Sequence, residues 1–210
     1  MTKIILEQMI FSYANNVEWF VDTSFSGGNV YQLIGANGSG KSTIGKLLTS
    51  IFEPCSGEIL LDDEVIRKFS SKRKRLNFLF IPQEPQWSFL GSTYAKHLKN
   101  MKIERTSSSV LIGNSKIDKM ISNVENMPIF SMSQEQIFLL ILHEIALWER
   151  SVIFIDECPD IENYDLLDFF LSILVLRNNK GYLTFASRHI KMELSNLNST
   201  SININEYRRP

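Results

Sequence analysis

Residues 35–43, Gly35-Ala36-Asn37-Gly38-Ser39-Gly40-Lys41-Ser42-Thr43, decide the fold class because they fit the pattern G-x-x-x-x-G-K-[ST]. The preceding residues, Val30–Ile34, predict a buried strand, and Thr43–Phe52 predicts a helix after the loop. Glycines let such a loop wrap an anion, so that successive N–H groups and the helix N-terminus point at phosphates. The alternative, a glycine-rich turn with a surface lysine, leaves the flanking strand and helix unexplained. The stretch therefore predicts a nucleoside triphosphate site.

The side chains of this loop have separate predicted roles. Lys41 is expected to reach the β- and γ-phosphates, and the Ser42 hydroxyl to ligate Mg²⁺. The nucleotide-binding residues predicted here are Asn37, Gly38, Ser39, Gly40, Lys41, Ser42 and Thr43.

Composition favours one soluble α/β domain of 210 residues, 44% hydrophobic and 21% charged. A net charge of −1 gives no general attraction to nucleic acid, and none is expected as a partner. The basic run Lys68–Arg75 is read as a solvated connection in preference to a polyanion site. Two distant cysteines, Cys55 and Cys158, suggest a reducing compartment.

No stretch approaches the roughly 18–20 apolar residues that cross a bilayer. The most apolar segment, Ile137–Trp148, contains His143 and Glu144, and the N-terminus lacks the apolar region of a secretory signal. We therefore expect a cytoplasmic protein whose membrane association comes through a partner.

Strands and helices are predicted to alternate, which favours a mainly parallel sheet. The predicted strands are Lys3–Met9, Trp19–Phe25, Val30–Ile34, Glu58–Asp62, Asn77–Pro82, Val152–Ile155 and Tyr182–Ala186. The predicted helices are Thr43–Phe52, Gln134–Glu149 and Tyr164–Leu176, with residues 84–130 mostly helical. Ser195–Asn205 is predicted to be a tail with little structure.

A second motif, Ser151–Glu157, is an apolar strand that ends in two carboxylates. A parallel strand delivers such acids at its carboxyl end, the edge where the phosphate loop also lies. There Asp156 is expected to hold the metal ion, and Glu157 to orient and polarise the attacking water. Alone this pattern is weak, but with the upstream phosphate loop it becomes specific.

With these motifs in order, nearly the whole chain resembles the ATP-binding cassette (ABC) ATPase family. Tyr13 matches the aromatic residue that stacks on adenine, and Gln83 matches the glutamine that touches Mg²⁺ and senses the membrane partner. Asp156 and Glu157 match the Walker B acids, and His189 matches the switch histidine at the γ-phosphate. The resemblance implies ATP and Mg²⁺ as cofactors and assigns catalytic roles to Lys41, Gln83, Glu157 and His189. It assigns the metal to Ser42, Gln83 and Asp156.

The signature motif departs from the family pattern Leu-Ser-Gly-Gly-Gln. The register Met132-Ser133-Gln134-Glu135-Gln136 is preferred, since a register starting at Phe130 needs a two-residue insertion before Asp156. In the family this motif completes the ATP site of the opposing subunit, so Ser133 and Gln136 are expected to contact that nucleotide. Glu135 replaces the second glycine and brings negative charge toward ATP. The repulsion between two unit charges ~4 Å apart is about 4 kcal/mol at an effective dielectric of ~20.

The D-loop, Cys158–Asn163, also departs, with Asn163 where the family has aspartate. Both departures favour a heterodimer, in which a different ATPase chain supplies an intact signature to this chain's nucleotide. The alternative is a homodimer in which Glu135 turns outward.

The resemblance implies a P-loop NTPase fold: a mainly parallel sheet flanked by helices, an N-terminal antiparallel β subdomain and a small helical subdomain. Residues 1–210 are expected to form one ABC ATPase domain. Its nucleotide-binding core is expected over 1–83 and 150–195, its helical subdomain with the signature over 84–149, and a short tail over 196–210.

The expected function is an ATP-binding and hydrolysing subunit that powers a membrane ABC transporter. Integral membrane subunits are then partners, and the chain lies at the cytoplasmic face. An ATP-gated binding or regulatory module is the alternative; a P-loop kinase would not explain Gln83 and His189. Four residues could line a groove for a membrane subunit, or equally form subdomain core: Trp87, Phe89, Leu90 and Tyr94. The sequence leans slightly to import and leaves the cargo open.

Overall fold

The computed structural model describes residues 1–12, 18–102, 115–188, 194 and 197–207. The chain divides into two units. The first comprises Met1–Ile81, Arg150–Cys158 and Arg177–Pro210, and the second comprises Pro82–Glu149 and Pro159–Leu176.

The secondary structure alternates between strands and helices from residue 29 onward. The strands are β1 (Lys3–Ser12), β2 (Glu18–Ser26), β3 (Asn29–Ile34), β4 (Ser56–Leu61), β5 (Glu64–Val65), β6 (Phe78–Ile81), β7 (Val152–Ile155), β8 (Leu183–Arg188) and β9 (Ser199–Asn203). The helices are α1 (Lys41–Leu48), α2 (Ser71–Asn77), α3 (Tyr94–Met101), α4 (Ser115–Val124), α5 (Gln134–Leu147) and α6 (Tyr164–Asn179).

Two sheets form the first unit. One has the order β6-β7-β8-β3-β9, and every neighbouring pair in it is parallel. The other has the order β2-β1-β4-β5 and is antiparallel. The parallel sheet and the N-terminal antiparallel sheet therefore agree with the fold expected from the resemblance.

Strand β7 lies inside the parallel sheet, and all four of its residues are buried. Its Phe154 packs on Phe80 of β6, with ring centroids 5.6 Å apart, and on Phe185 of β8 at 6.5 Å. Helix α1 approaches the same ring: a Cβ built at Gly45 would lie 2.4 Å from Phe154. Glycine at this position therefore permits the close packing of α1 on the strand that ends in the two acids.

All seven predicted strands are present, and two other predictions need correction. Helix α1 ends at Leu48 instead of Phe52, because Ser50 adopts a positive φ of 58° that cannot continue a helix. The stretch predicted as a tail contains β9, which pairs in parallel with β3 from Val30 to Ile34. Backbone hydrogen bonds hold this edge strand, and its one buried residue, Ile202, gave little signal in the sequence.

The second unit is helical and is built around α5. Ten consecutive residues of this helix, from Ile137 to Ala146, are buried, including the polar pair His143 and Glu144. The apolar segment noted in the sequence is thus a buried helix of a globular unit. Across the described ranges, no helix combines the length and apolar character needed to cross a membrane.

Candidate nucleotide site

The phosphate loop connects β3 to α1, as the sequence predicts. Gly40 precedes the helix with φ 98°, and no side chain caps the helix N-terminus. A Cβ at Gly40 would also lie 2.2 Å from the ring of buried Trp19. Gly40 is therefore required by its backbone conformation and by the indole beside it, and the first N–H groups of α1 are left for an anion.

Two side chains of the loop face inward. The Lys41 ammonium is buried and donates hydrogen bonds to the carbonyl oxygens of Gly35, at 2.8 Å, and Ala36, at 3.0 Å. Ser39 Oγ is buried and has no hydrogen-bond partner among the described residues. A phosphate group fits this arrangement, because it would give acceptors to the lysine, the hydroxyl and the loop N–H groups.

The two acids after β7 are held by a residue that the sequence prediction missed. Ser187, on neighbouring β8, donates its hydroxyl to Asp156 Oδ1 at 2.8 Å and accepts the N–H of Glu157 at 2.8 Å. Ser187 is fully buried, Asp156 is buried, and Glu157 adopts a left-handed φ of 54°. The only signal for Ser187 was a small polar residue near the end of a buried strand.

The phosphate loop and the acids share one edge of the sheet. β3 and β7 both neighbour β8, and parallel strands present their carboxyl ends on the same side. Two strand spacings correspond to about 10 Å. Within the described ranges no three His, Cys, Asp or Glu side chains cluster as metal ligands. Mg²⁺ is commonly held by one or two carboxylates plus substrate phosphates, so Asp156 with a bound nucleotide fits this ion.

Comparison with known proteins identifies the family. Residues 20–159 match the profile described as ABC transporter. The chain belongs to the ABC transporter family. The fold expected from the sequence is thereby confirmed, since the solved structures that match are also ABC ATPases.

Curated relatives of this ABC chain include proteins of energy-coupling factor transporters. It is 31% identical over 163 residues to the energy-coupling factor transporter ATP-binding protein EcfA1 of Mesomycoplasma hyopneumoniae, covering 72% of this chain and 59% of that protein. The HMP/thiamine import ATP-binding protein YkoD of Bacillus subtilis is 40% identical over 94 residues, 42% of this chain and 17% of that protein. The chain therefore spans 59% or less of the length of these two relatives.

Solved structures share the fold at low sequence identity. An ATP-binding subunit of an ABC transporter superposes with a TM-score of 0.73 at 19% identity, covering 96% of this chain and 86% of that one. The structure of cbiO1 from Clostridium perfringens superposes with a TM-score of 0.68 at 18% sequence identity. This match covers 96% of the present chain and 85% of cbiO1.

Three of the roles predicted from the family pattern are not tested by the structure. Tyr13 and His189 lie outside the described residues. Gln83 is exposed, two residues after β6 ends at Ile81, and belongs to the second unit. Their roles remain predictions.

The signature residues begin helix α5. Ser133 is the N-cap: its Oγ accepts the N–H of Gln136 at 3.2 Å, and Gln136 Oε1 accepts the N–H of Ser133 at 2.9 Å. The contacts of Ser133 and Gln136 with the nucleotide of an opposing subunit remain predictions. Glu135, the residue in the glycine position, points its carboxylate at backbone N–H groups of its own D-loop.

The aromatic segment after Gln83 divides between surface and core. Trp87 is 69% exposed and Leu90 54%, whereas Tyr94 is fully buried. Phe130, 66% exposed, packs edge-on against Trp87 with ring centroids 4.8 Å apart. We call Trp87 and Phe130 the aromatic patch. Phe130 was missed because its place beside Trp87 depends on tertiary structure.

Two side chains of the basic run form ion pairs with acids. Arg73 donates to both carboxylate oxygens of Glu64, at 2.7 and 2.6 Å, and this pair lowers the pKa of Glu64 and raises that of Arg73. Lys74 Nζ lies 3.7 Å from a carboxylate oxygen of Glu53. These pairs favour the interpretation of the run as a solvated connection.

Proposed function

We propose that this chain is an ATP-binding and hydrolysing subunit that powers an ABC transporter. The observation that carries the proposal is the shared sheet edge, where the phosphate loop after β3 and the acids after β7 flank β8. A phosphate cradle and a metal-binding carboxylate at one edge are the parts that phosphoryl transfer to water requires.

The residues at this edge of the sheet have different proposed roles in ATP hydrolysis. Lys41 exchanges the carbonyls of Gly35 and Ala36 for phosphate oxygens of ATP, and the loop N–H groups hold the same anion. Mg²⁺, held by Ser42, Asp156 and Gln83, would neutralise charge on the β- and γ-phosphates. Glu157 orients and polarises the water that attacks the γ-phosphate in line.

His189 is proposed to hold the γ-phosphate, and Tyr13 to stack on the adenine. Both assignments rest on the family pattern. In that pattern, His189 corresponds to the switch histidine and Tyr13 to the aromatic residue that stacks on adenine.

Membrane subunits are proposed to dock on the aromatic patch. An exposed tryptophan packed edge-on against an exposed phenylalanine is an apolar surface suited to a protein partner. Import is the favoured direction, because EcfA1 and YkoD are named for an energy-coupling factor transporter and for HMP/thiamine import. Docking there would place the chain at the cytoplasmic face of the membrane.

A different ATPase chain is proposed as the second nucleotide-binding partner. Glu135 carries a carboxylate where the family has glycine, and hydrogen bonds from two backbone N–H groups hold that carboxylate in place. A like charge near ATP costs about 4 kcal/mol at ~4 Å and an effective dielectric of ~20, which is roughly three decades in affinity. An identical partner would therefore give two weak composite sites.

The same carboxylate favours a second candidate, an ATP-gated binding module with little hydrolysis. Steady-state ATPase rate against protein concentration tests both functions. For the heterodimer we expect a negligible rate that stays low as the chain is concentrated, and turnover once the second ATPase is added. A rate that rises with the square of concentration would establish a working homodimer.

Glu157→Gln separates hydrolysis from gating. In the assembled transporter it should lower the ATPase rate at least about a hundredfold while ATP still binds, because the water loses its base. An unchanged rate would remove Glu157 from the mechanism.

A further inference from the structure

The Glu135 carboxylate joins two segments that are far apart in sequence. Its Oε1 atom accepts hydrogen bonds from the backbone N–H groups of Glu162 and Asn163, both at 3.1 Å. Glu135 lies in the first turn of α5, and the two amides belong to the D-loop immediately before α6. All three residues belong to the second unit.

The electrostatics of this contact are favourable. The amides before a helix have no partner within the helix, and a carboxylate near a helix N-terminus is stabilised by the helix dipole. Hydrogen bonds to a charged group are about twice as strong as neutral ones. One side chain thus satisfies two donors that α6 itself cannot satisfy.

Asn163 shows why both departures from the family pattern occur together. Its Oδ1 accepts the N–H of Leu166 at 3.0 Å, so that it caps α6. Aspartate caps a helix equally well, but it would add a further carboxylate beside Glu135, next to the one that Glu162 already carries. Asparagine keeps the cap without this repulsion.

We propose that Glu135 clamps the D-loop of this chain to the start of its signature helix, and that Asn163 is the neutral residue that the clamp requires. The signature and the D-loop, which family members present to the opposing subunit, then move as one piece. This consequence for the transporter rests on the proposed function. The clamp itself does not depend on it.

Amide hydrogen exchange of Glu162 and Asn163 in the full chain, without nucleotide, tests the clamp. Glu135→Ala is expected to speed exchange at both amides about ten- to a hundredfold, the loss of charged hydrogen bonds. Glu135→Gln keeps an acceptor oxygen and should restore most of the protection. Asp165→Asn is the matched control, since it removes another carboxylate at the start of α6, one that pairs with Lys116 at 2.9 Å. It should leave both amides protected.

Asn163→Asp extends the test to the second departure. In the wild-type background, Asn163→Asp should weaken the protection of these amides. In a chain that also carries Glu135→Ala it should have no such effect, because the carboxylate that it repels is absent. Equal exchange in wild type and Glu135→Ala, or equal effects of Asn163→Asp in both backgrounds, would overturn the proposal. If Glu135→Ala does not fold, Glu135→Gln takes its place as the uncharged background: Asn163→Asp should weaken the protection less beside Glu135→Gln than in the wild type, and equal effects would overturn the proposal. The result is independent of ATP hydrolysis, so failure of the clamp and failure of the proposed function are distinguishable.

Discussion

Ser187→Ala should weaken magnesium-dependent ATP binding more than its effect on stability explains. The substitution removes a hydrogen bond to the charged Asp156 and one from the Glu157 amide. The first bond contributes about 1.5–3 kcal/mol and the second about 1 kcal/mol, so the free energy of unfolding should fall by about 2.5–4 kcal/mol. Residues that orient a metal ligand typically change metal affinity 10–100-fold, and we expect a shift of about this size in the magnesium midpoint.

Thr184→Val is the matched control on the same strand. Thr184 is also fully buried, and its hydroxyl accepts a hydrogen bond from Arg177 Nε at 2.9 Å, away from the two acids. Its loss should cost about 1.5–3 kcal/mol of stability and leave the magnesium midpoint unchanged.

The assay is a titration of Mg²⁺ at fixed ATP, with nucleotide binding as the signal and denaturant unfolding in parallel. Equal magnesium midpoints in Ser187→Ala and Thr184→Val would refute the reasoning. Ser187 would then be an ordinary core hydroxyl.

Two further predictions concern the stability of the fold. Gly45→Ala should lower the free energy of unfolding by about 1–3 kcal/mol despite the better helix propensity of alanine, because its Cβ meets the Phe154 ring; an unchanged melting temperature would contradict this packing. His97→Ala should cost about 2–4 kcal/mol by denaturant unfolding. Its Nδ1 accepts the Leu90 N–H, so Nε2 donates to buried Glu144, and a loss below about 1 kcal/mol would show that neither bond matters.

Much of the fold followed from local patterns. The glycines and the lysine of the phosphate loop predict its conformation, and the apolar residues before Asp156 predict a buried strand. Both patterns depend on residues adjacent in sequence, which is why their positions were predicted correctly.

What the sequence did not reveal depends on pairing between distant residues. β9 is held by main-chain bonds to β3, and its Asn/Ser-rich composition resembles that of a loop. Ser187 meets Asp156 only because β7 and β8 are neighbours. Glu135 was interpreted as a charge aimed at ATP, with outward rotation as the alternative, and nothing in the sequence indicated its two hydrogen bonds to the D-loop of its own chain.

The central claim is that the loop around Lys41 binds ATP, and binding of Mg²⁺–ATP to the purified chain tests it most directly. Calorimetry should show one nucleotide bound per chain, and Lys41→Ala should abolish or severely weaken binding while the fold is kept. No binding by the wild-type chain, or equal binding by Lys41→Ala, would contradict the account.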